Sequence, residues 1–361
     1  MTSVNSEQSP LGIALIGAGG MAKNYRANYA AIPGTRYRLI VDVDAEVARE
    51  AAREHGAERS STDWRDALAD DIQIVDISTP NHLHTEQATA LLAAGKHVIL
   101  QKPMAPTVGE CQAIVRAAEA SGRTAGIYMS DLEDAVAWDL RDIVRTGRIG
   151  RISSVRARYA HRGGLSAPPN PNNWRGSAEK TGGGSFMQLS IHHINLLSWI
   201  LDDKISSVMG YAKNQMCPNI GGDDSAVSIG EFETTGILAI FDSSWNADGS
   251  VLEIYGSEGH VRMLGGQGAA VEARLNQPFQ GRVVQVDAAN KTVLTPAGAG
   301  SRDQCRADNP LNQHVAFVEA ILRGEPAPVT AATGLYDVAV VKAVYQSAEE
   351  GRRINVRDLL S

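Results

Sequence analysis

Cysteine, aromatic residues, basic charge and long apolar runs are all in short supply in this chain, and each shortage excludes something. The three cysteines, Cys111, Cys217 and Cys305, are far apart and outside any CxxC spacing. They fit neither a disulfide framework nor a metal site and read as reduced thiols of a cytoplasmic protein. Acidic residues outnumber basic ones by 41 to 34, a net charge of -7. The clustered Lys and Arg that hold a phosphate backbone are missing, which argues against a nucleic-acid partner. The uncharged stretch 188–201 is too short and too polar to span a bilayer, so no membrane partner is expected. Residues 1–10 lack a basic segment followed by an apolar run and read as a disordered polar tail rather than a signal peptide.

What is present is a chain of 361 residues with 43% hydrophobic content, longer than one core usually fills. From residue 11 to 128, short apolar runs at 13–16, 37–41, 74–77, 97–100 and 124–128 alternate with amphipathic segments at 22–31, 45–55, 63–69, 84–94 and 108–120. That alternation predicts an α/β Rossmann domain with a parallel sheet under helices. The remainder, 129–361, carries strand-like runs at 152–159, 205–213, 226–232, 236–244, 251–255 and 260–264, several in succession without helices. Successive strands imply antiparallel neighbours, so the second domain is expected to be α+β with an open, mainly antiparallel sheet. One long helix is expected at 186–200, further helices at 313–322 and 334–349, and loops at 163–176 and 298–308.

The first strand runs directly into Gly17-Ala18-Gly19-Gly20-Met21-Ala22, the GxGxx(G/A) pattern. Its glycines allow a tight turn and close approach to a pyrophosphate, which the free N–H groups of the next helix would meet. Asp42 follows Gly17 by 25 residues at the end of the second strand. There a carboxylate accepts ribose hydroxyls and repels a 2′-phosphate, so NAD is favoured over NADP. A solvated loop acid is the plainer alternative.

Three further segments carry a more specific signal. Ser78-Thr79-Pro80-Asn81-His82-Leu83-His84 follows the third run, Gln101-Lys102-Pro103 ends the fourth, and Gly182-Gly183-Gly184 opens the long helix bearing Gln188, His192 and His193. In this order the chain resembles the Gfo/Idh/MocA family of glucose-fructose oxidoreductases and inositol dehydrogenases, nearly from end to end. The resemblance implies hydride transfer to or from a secondary hydroxyl carbon of a sugar, glycoside or cyclitol. It also implies a homodimer or homotetramer formed through the second domain's sheet.

By the same resemblance, Lys102 stands beside the nicotinamide and His192 is the base on the second-domain helix. Gly17, Gly19, Gly20, Met21, Ala22, Asp42, Thr79, Pro80, Asn81, His84, Gln101, Lys102, Trp174 and Arg175 are the expected cofactor contacts. Arg162, Gln188, His193, Lys102 and His192 are the expected substrate contacts. The chemistry asks for such groups: a base must take the hydroxyl proton as hydride leaves, and a cation stabilises the developing alkoxide. His193, about 100° around the helix, is the rival base. No metal is called for.

Four positions depart from the family pattern: Gln101 replaces Glu, Gln188 Asp, Ser190 Gly and Asn195 Asp. Gln188 has two readings, one turn from His192 and able to bond its ring or a substrate hydroxyl, or the second half of a capping box that reaches back to Ser185 N–H. A redox-neutral conversion on tightly held NAD and a non-catalytic NAD/sugar sensor stay open beside the dehydrogenase.

Overall fold

The computed structural model describes residues 10–24, 29, 32–167, 173–265, 270–287 and 311–361. Strands β1 (Leu11–Ile16), β2 (Thr35–Val41), β3 (Arg59–Ser61), β4 (Ile74–Ile77), β5 (His97–Gln101) and β6 (Ala125–Tyr128) form a parallel sheet ordered β3-β2-β1-β4-β5-β6. Ile74, Val75, Asp76 and Ile77 are all buried, as strand residues are when helices cover both faces of a sheet. Those helices are α1 (Ala45–His55), α2 (His84–Ala93) and α3 (Val108–Ser121). The chain reverses direction across the sheet between β1 and β4, which opens a crevice at their carboxyl ends.

The segment expected as a helix at 22–31 is described only at its start, where Met21–Asn24 form a single 3-10 turn; apart from Tyr29 its later part lies outside the described residues. The helix expected at 63–69 is a 3-10 turn, Trp64–Leu68, capped by Asp63. A helix that was not expected, α4 (Ala135–Arg145), follows β6.

The second sheet contains β7 (Ile152–Ala160), β8 (Ile205–Lys213), β9 (Ser225–Phe232), β10 (Leu238–Ser244), β11 (Val251–Gly256), β12 (His260–Leu264), β13 (Ala270–Arg274) and, after a separate hairpin of β14 (Phe279–Gln280) and β15 (Gln285–Val286), β16 (Ile354–Asn355). Its order is β13-β12-β11-β7-β10-β9-β8-β16. Among the described residues, every pairing in it is antiparallel except β7 with β10. Both sheets are open.

Among the described residues, helices α5 (Ala178–Thr181), α6 (Ile191–Leu201), α7 (Gln313–Arg323), α8 (Ala331–Glu350) and α9 (Arg357–Leu360) follow. Helix α8 packs on β8 and on α3, so it belongs to the interior of both halves. Phe317 and Val318 of α7 join Ile13, Leu15, Tyr37 and Ile40 in one apolar cluster. The C-terminal part of the chain thus returns to cover the first sheet. Cys111 and Cys217 are buried and unpaired, whereas Cys305 and the loop 298–308 lie outside the described residues, as does the middle of the loop 163–176.

Candidate active site

The glycine turn is shaped by what crowds it. Gly17 has φ +91°, and a Cβ there would lie 2.7 Å from Ser78 O, so a side chain is excluded on both counts. Gly17 N–H donates to Val41 O at 2.8 Å, and Ala18 N–H donates to Asp42 Oδ2 at 2.9 Å. The ends of β1, β2 and β4 are thereby drawn together around one crevice. Met21 and Ala22 form the turn beyond it, with Ala22 buried.

A cavity of about 740 Å³ begins there. Gly17, Gly19, Gly20, Asp42, Thr79, Pro80, Asn81, Gln101 and Lys102 line it from the first half of the chain. The second half of the chain adds His161, Trp174, Arg175, Gln188, Leu189 and Trp245. Most of the expected cofactor residues therefore line this one cavity. The Arg175 guanidinium stacks 4.6 Å from the Trp174 ring centroid, and burial holds it below the usual arginine value. The buried Gln101 Nε2 has no hydrogen-bond partner, so its amide is available to a ligand.

Lys102 Nζ donates to the main-chain carbonyl of Gln188 at 2.8 Å. Burial lowers the ammonium to about 8, against the pull of Asp131 and with the help of Arg175. Gln188 sits in a π turn, Phe186–Ser190, that leads into α6. The single regular helix expected at 186–200 is thus two unlike segments, and π turns put main-chain carbonyls out of the regular helical ladder.

His192 and His193, on the first turn of α6, are buried. His192 Nδ1 lies 2.5 Å from Asp131 Oδ2, and Tyr159 of β7 stacks on the ring at 5.3 Å. Burial and the Lys102 charge lower the imidazole's pKa against the raising influence of Asp131. Burial opposes the Asp131 charge as well, but His192, His193 and Lys102 hold that carboxyl down at about 2. An ionised carboxylate can only accept, so the ring donates Nδ1–H to it. His193 has no such partner: its buried Nδ1 is unpaired, and burial holds it at about 4. The cavity wall beside the two histidines is made by Gln188 and Leu189, and neither imidazole is part of it.

Several expectations change. The capping box is absent: Ser185 N–H donates to the main-chain oxygen of Asp223 at 2.7 Å and Gln188 N–H to Gly184 O at 3.1 Å, while the Asp223 carboxylate accepts Ser185 Oγ at 2.7 Å and Phe186 N–H at 2.9 Å on Oδ2 and Gly184 N–H at 3.0 Å on Oδ1. The Gln188 amide instead donates to Thr181 O at 3.2 Å, where Asn81 Nδ2 also arrives at 2.9 Å. The His192 ring is bonded to Asp131, not to Gln188.

His84 is not a cofactor contact: it is fully buried, with its ring nitrogens 3.1 Å from Met104 O and 2.9 Å from Thr79 O. It fastens the loop after β4 to the loop after Lys102. Arg162 is exposed and outside the cavity wall; its neighbours His161 and Gly163 are the lining residues. Asn195 points away from the site into the helix interface, donating to Asp337 Oδ2 at 2.8 Å. Ser190 is buried within the π turn.

Asp131, Tyr159, His161 and Trp245 were not singled out from sequence. Asp131 lies in an acid-rich stretch, Asp131-Leu132-Glu133-Asp134, which reads as a solvated turn until its neighbours in space are known.

A parallel 3-2-1-4-5-6 sheet whose crevice holds a lysine bonded to the segment that leads into a histidine–carboxylate pair defines a Rossmann-type oxidoreductase. Residues 11–129 match the family model of the oxidoreductase NAD-binding Rossmann fold, and residues 141–356 match its C-terminal alpha/beta domain. The chain belongs to the Gfo/Idh/MocA oxidoreductase family and has its NAD-binding Rossmann domain.

Among its relatives, the levoglucosan dehydrogenase of Pseudarthrobacter phenanthrenivorans is 31% identical over 70% of this chain and 73% of its own. The 1,5-anhydro-D-fructose reductase of Ensifer adhaerens is 28% identical over 68% of this chain and 74% of its own. Among solved structures, a levoglucosan dehydrogenase in complex with NADH and levoglucosan superposes with a TM-score of 0.81 at 25% identity, covering 96% of this chain and 99% of that one. The oxidoreductase domain protein of Kribbella flavida gives 0.82 at 26% identity, over 97% and 100% of the two chains. Among the described residues, no helix is long and apolar enough to cross a membrane.

Proposed function

We propose that this chain is an NAD-dependent dehydrogenase that moves hydride between the nicotinamide and a secondary hydroxyl carbon of a sugar, glycoside or cyclitol. One observation carries the reading: Lys102 lines the same cavity as the glycine turn and is bonded directly to the segment that leads to His192. Relatives named for levoglucosan and anhydrofructose support the substrate class.

NAD would lie from Asp42 and the glycine turn toward Lys102, and it supplies the hydride acceptor. The chain's own residues manage the proton. With the ammonium of Lys102 against the substrate hydroxyl oxygen, negative charge developing there is stabilised, while neutral His192 receives the released proton. The Asp42 carboxylate disfavours a 2′-phosphate, which selects NAD over NADP. Residues 11–128 hold the cofactor and 129–361 supply substrate and subunit contacts. Buried, unpaired Cys111 and Cys217 suit a cytoplasmic setting.

The second sheet is also the proposed subunit interface. Met209 and Tyr211 of β8, Val227 and Ile229 of β9, and Leu238 and Ile240 of β10 are exposed on it. Met209 pairs with Ile229, Tyr211 with Val227, and Ile240 with Ile229, so the residues form one stripe. A continuous apolar patch of this kind fits a second copy of the chain.

The test is to incubate the protein with NAD and a panel of neutral sugars, glycosides and cyclitols while recording reduced nicotinamide. Substrate-dependent reduction is expected. Its absence across the panel, with NAD retained through gel filtration, would point to the redox-neutral cycle instead.

A further inference from the structure

The segment 186–201, which forms the π turn and α6, contains no acidic residue. Whatever orients and charges its histidines must therefore come from another element. Among the described residues only one of the two rings has a carboxylate on it: Asp131, from the 3-10 turn Ser130–Glu133 that follows β6, meets His192 Nδ1 at 2.5 Å.

We infer that Asp131 is the positioning residue that makes His192, and not His193, the proton acceptor of the reaction proposed above. A carboxylate only accepts hydrogen bonds, so the ring proton stays on Nδ1 and the lone pair on Nε2 remains to take a proton. When it does, the resulting imidazolium lies directly against an anion, the arrangement that stabilises a protonated base in histidine–carboxylate pairs generally. His193 is buried as well, but among the described residues no carboxylate is hydrogen-bonded to its ring, so the Asp131 charge reaches it only across space.

The acid is held firmly enough to do this. The main chain around it is tied to α7, with Met129 N–H donating to Gln313 Oε1 at 3.2 Å, Gln313 Nε2 to Met129 O, and Gln313 N–H to Glu133 Oε1 at 2.8 Å. Trp138 Nε1–H donates to Leu132 O at 2.9 Å from the other side. β6 lies beside β5, with Tyr128 paired to Gln101, so the loops after both strands open toward the same place and Asp131 acts on Lys102 as well as on His192. The ionisable groups facing the ring are thus Asp131 from the turn after β6, Lys102 from the end of β5, Tyr159 from β7, and His193 on its own helix.

The experiment compares the wild-type enzyme with Asp131→Asn in two measurements. The first is the pH profile of kcat/KM on the best substrate of the panel. Removing the charge lowers the pKa of both His192 and Lys102, so both limbs should move to lower pH, and kcat should fall by about a hundred-fold or more. A fall in kcat with both limbs unmoved would mean a merely structural role and would overturn the inference.

The second is a ¹⁵N NMR titration of the histidine rings in the wild type, assigned with His192→Gln. The expected tautomer of His192 is Nδ1–H with Nε2 unprotonated, and Nε2–H would overturn the inference. This measurement needs no turnover and no folded Asp131 variant. If the substrate panel gives nothing while the tautomer is as expected, the proposed reaction fails and the pairing stands.

Discussion

Asp42 Oδ2 accepts the main-chain N–H of Ala18 at 2.9 Å, so the carboxylate that ends β2 is tied to the glycine turn that ends β1. The same residue lines the cavity and would face the adenosine ribose. Asp42→Ser should weaken NADH by about 2 kcal/mol, roughly thirty-fold, while leaving NADPH nearly unchanged or improved, because the repulsion of a 2′-phosphate goes with the charge. Titrating the nicotinamide fluorescence of both cofactors measures this. Equal losses would remove Asp42 from the ribose site.

Lys102 has its ammonium lowered to about 8 by burial. Since the charged form is the one that stabilises an alkoxide, kcat/KM should fall as pH rises through about 8. Lys102→Arg, which does not deprotonate in this range, should be slower yet lose that fall. Lys102→Met should cost on the order of a thousand-fold in kcat with NAD affinity within a few-fold. Retained turnover in the Met variant would exclude Lys102 from the chemistry.

The two histidines should separate cleanly. His192→Ala should lose at least about a hundred-fold more kcat than His193→Ala, as befits a general base against a buried neighbour. Steady-state kinetics on both variants decides it, and the reverse order would exchange their roles.

The apolar stripe on the second sheet makes a prediction about mass. Ile229, 54% exposed, should when changed to Asp shift sedimentation from an oligomer to a monomer without altering the far-ultraviolet circular dichroism. An unchanged sedimentation coefficient would place the interface elsewhere.

Asp337 is fully buried on α8, and burial pushes its carboxyl up to about 8 in spite of the hydrogen bond from Asn195. Between the usual carboxylate value and 8, the folded protein keeps a proton that the unfolded chain releases, so rising pH costs stability across that window. Asp337→Asn removes this cost. Its melting temperature relative to wild type should climb by several degrees from pH 5 to pH 8, and parallel melting curves would show that Asp337 is ionised in the fold.

Much of this architecture is legible before folding, because β1, β4 and β5 are mostly apolar and the second-sheet strands alternate. Helix α4 is harder to see. Asp139, in its middle, looks like a solvent-facing acid, yet it is fully buried and accepts the main-chain N–H groups of Arg282, Val283 and Val284. Those partners are more than a hundred residues away, so no local pattern announces them.

The site divides in the same way. Lys102, His192 and the glycine turn stand in recognisable local order, whereas Asp131 has meaning only through a histidine 61 positions later. The capping box at Ser185 matched its local pattern and lost to Asp223, which lies 38 positions on and accepts both the main-chain N–H and the hydroxyl of Ser185. His84 was misread for a related reason: the motif marks the residue, but only the fold shows that both of its nitrogens are turned inward to main-chain carbonyls.

The π turn at Phe186–Ser190 makes the length of the chain part of the site. Such a turn holds an extra residue compared with an α turn, so deleting any one of the five would let the helix run regularly from the glycines onward. Everything on one side of the deletion would then rotate by about 100° against the other, carrying the Gln188 carbonyl away from Lys102 or His192 away from Asp131. Aligning this segment with another sequence by sliding a single gap through it pairs residues that do not occupy the same place in space. A substitution here changes one contact, whereas an insertion or deletion resets the phase between Lys102 and the proton acceptor.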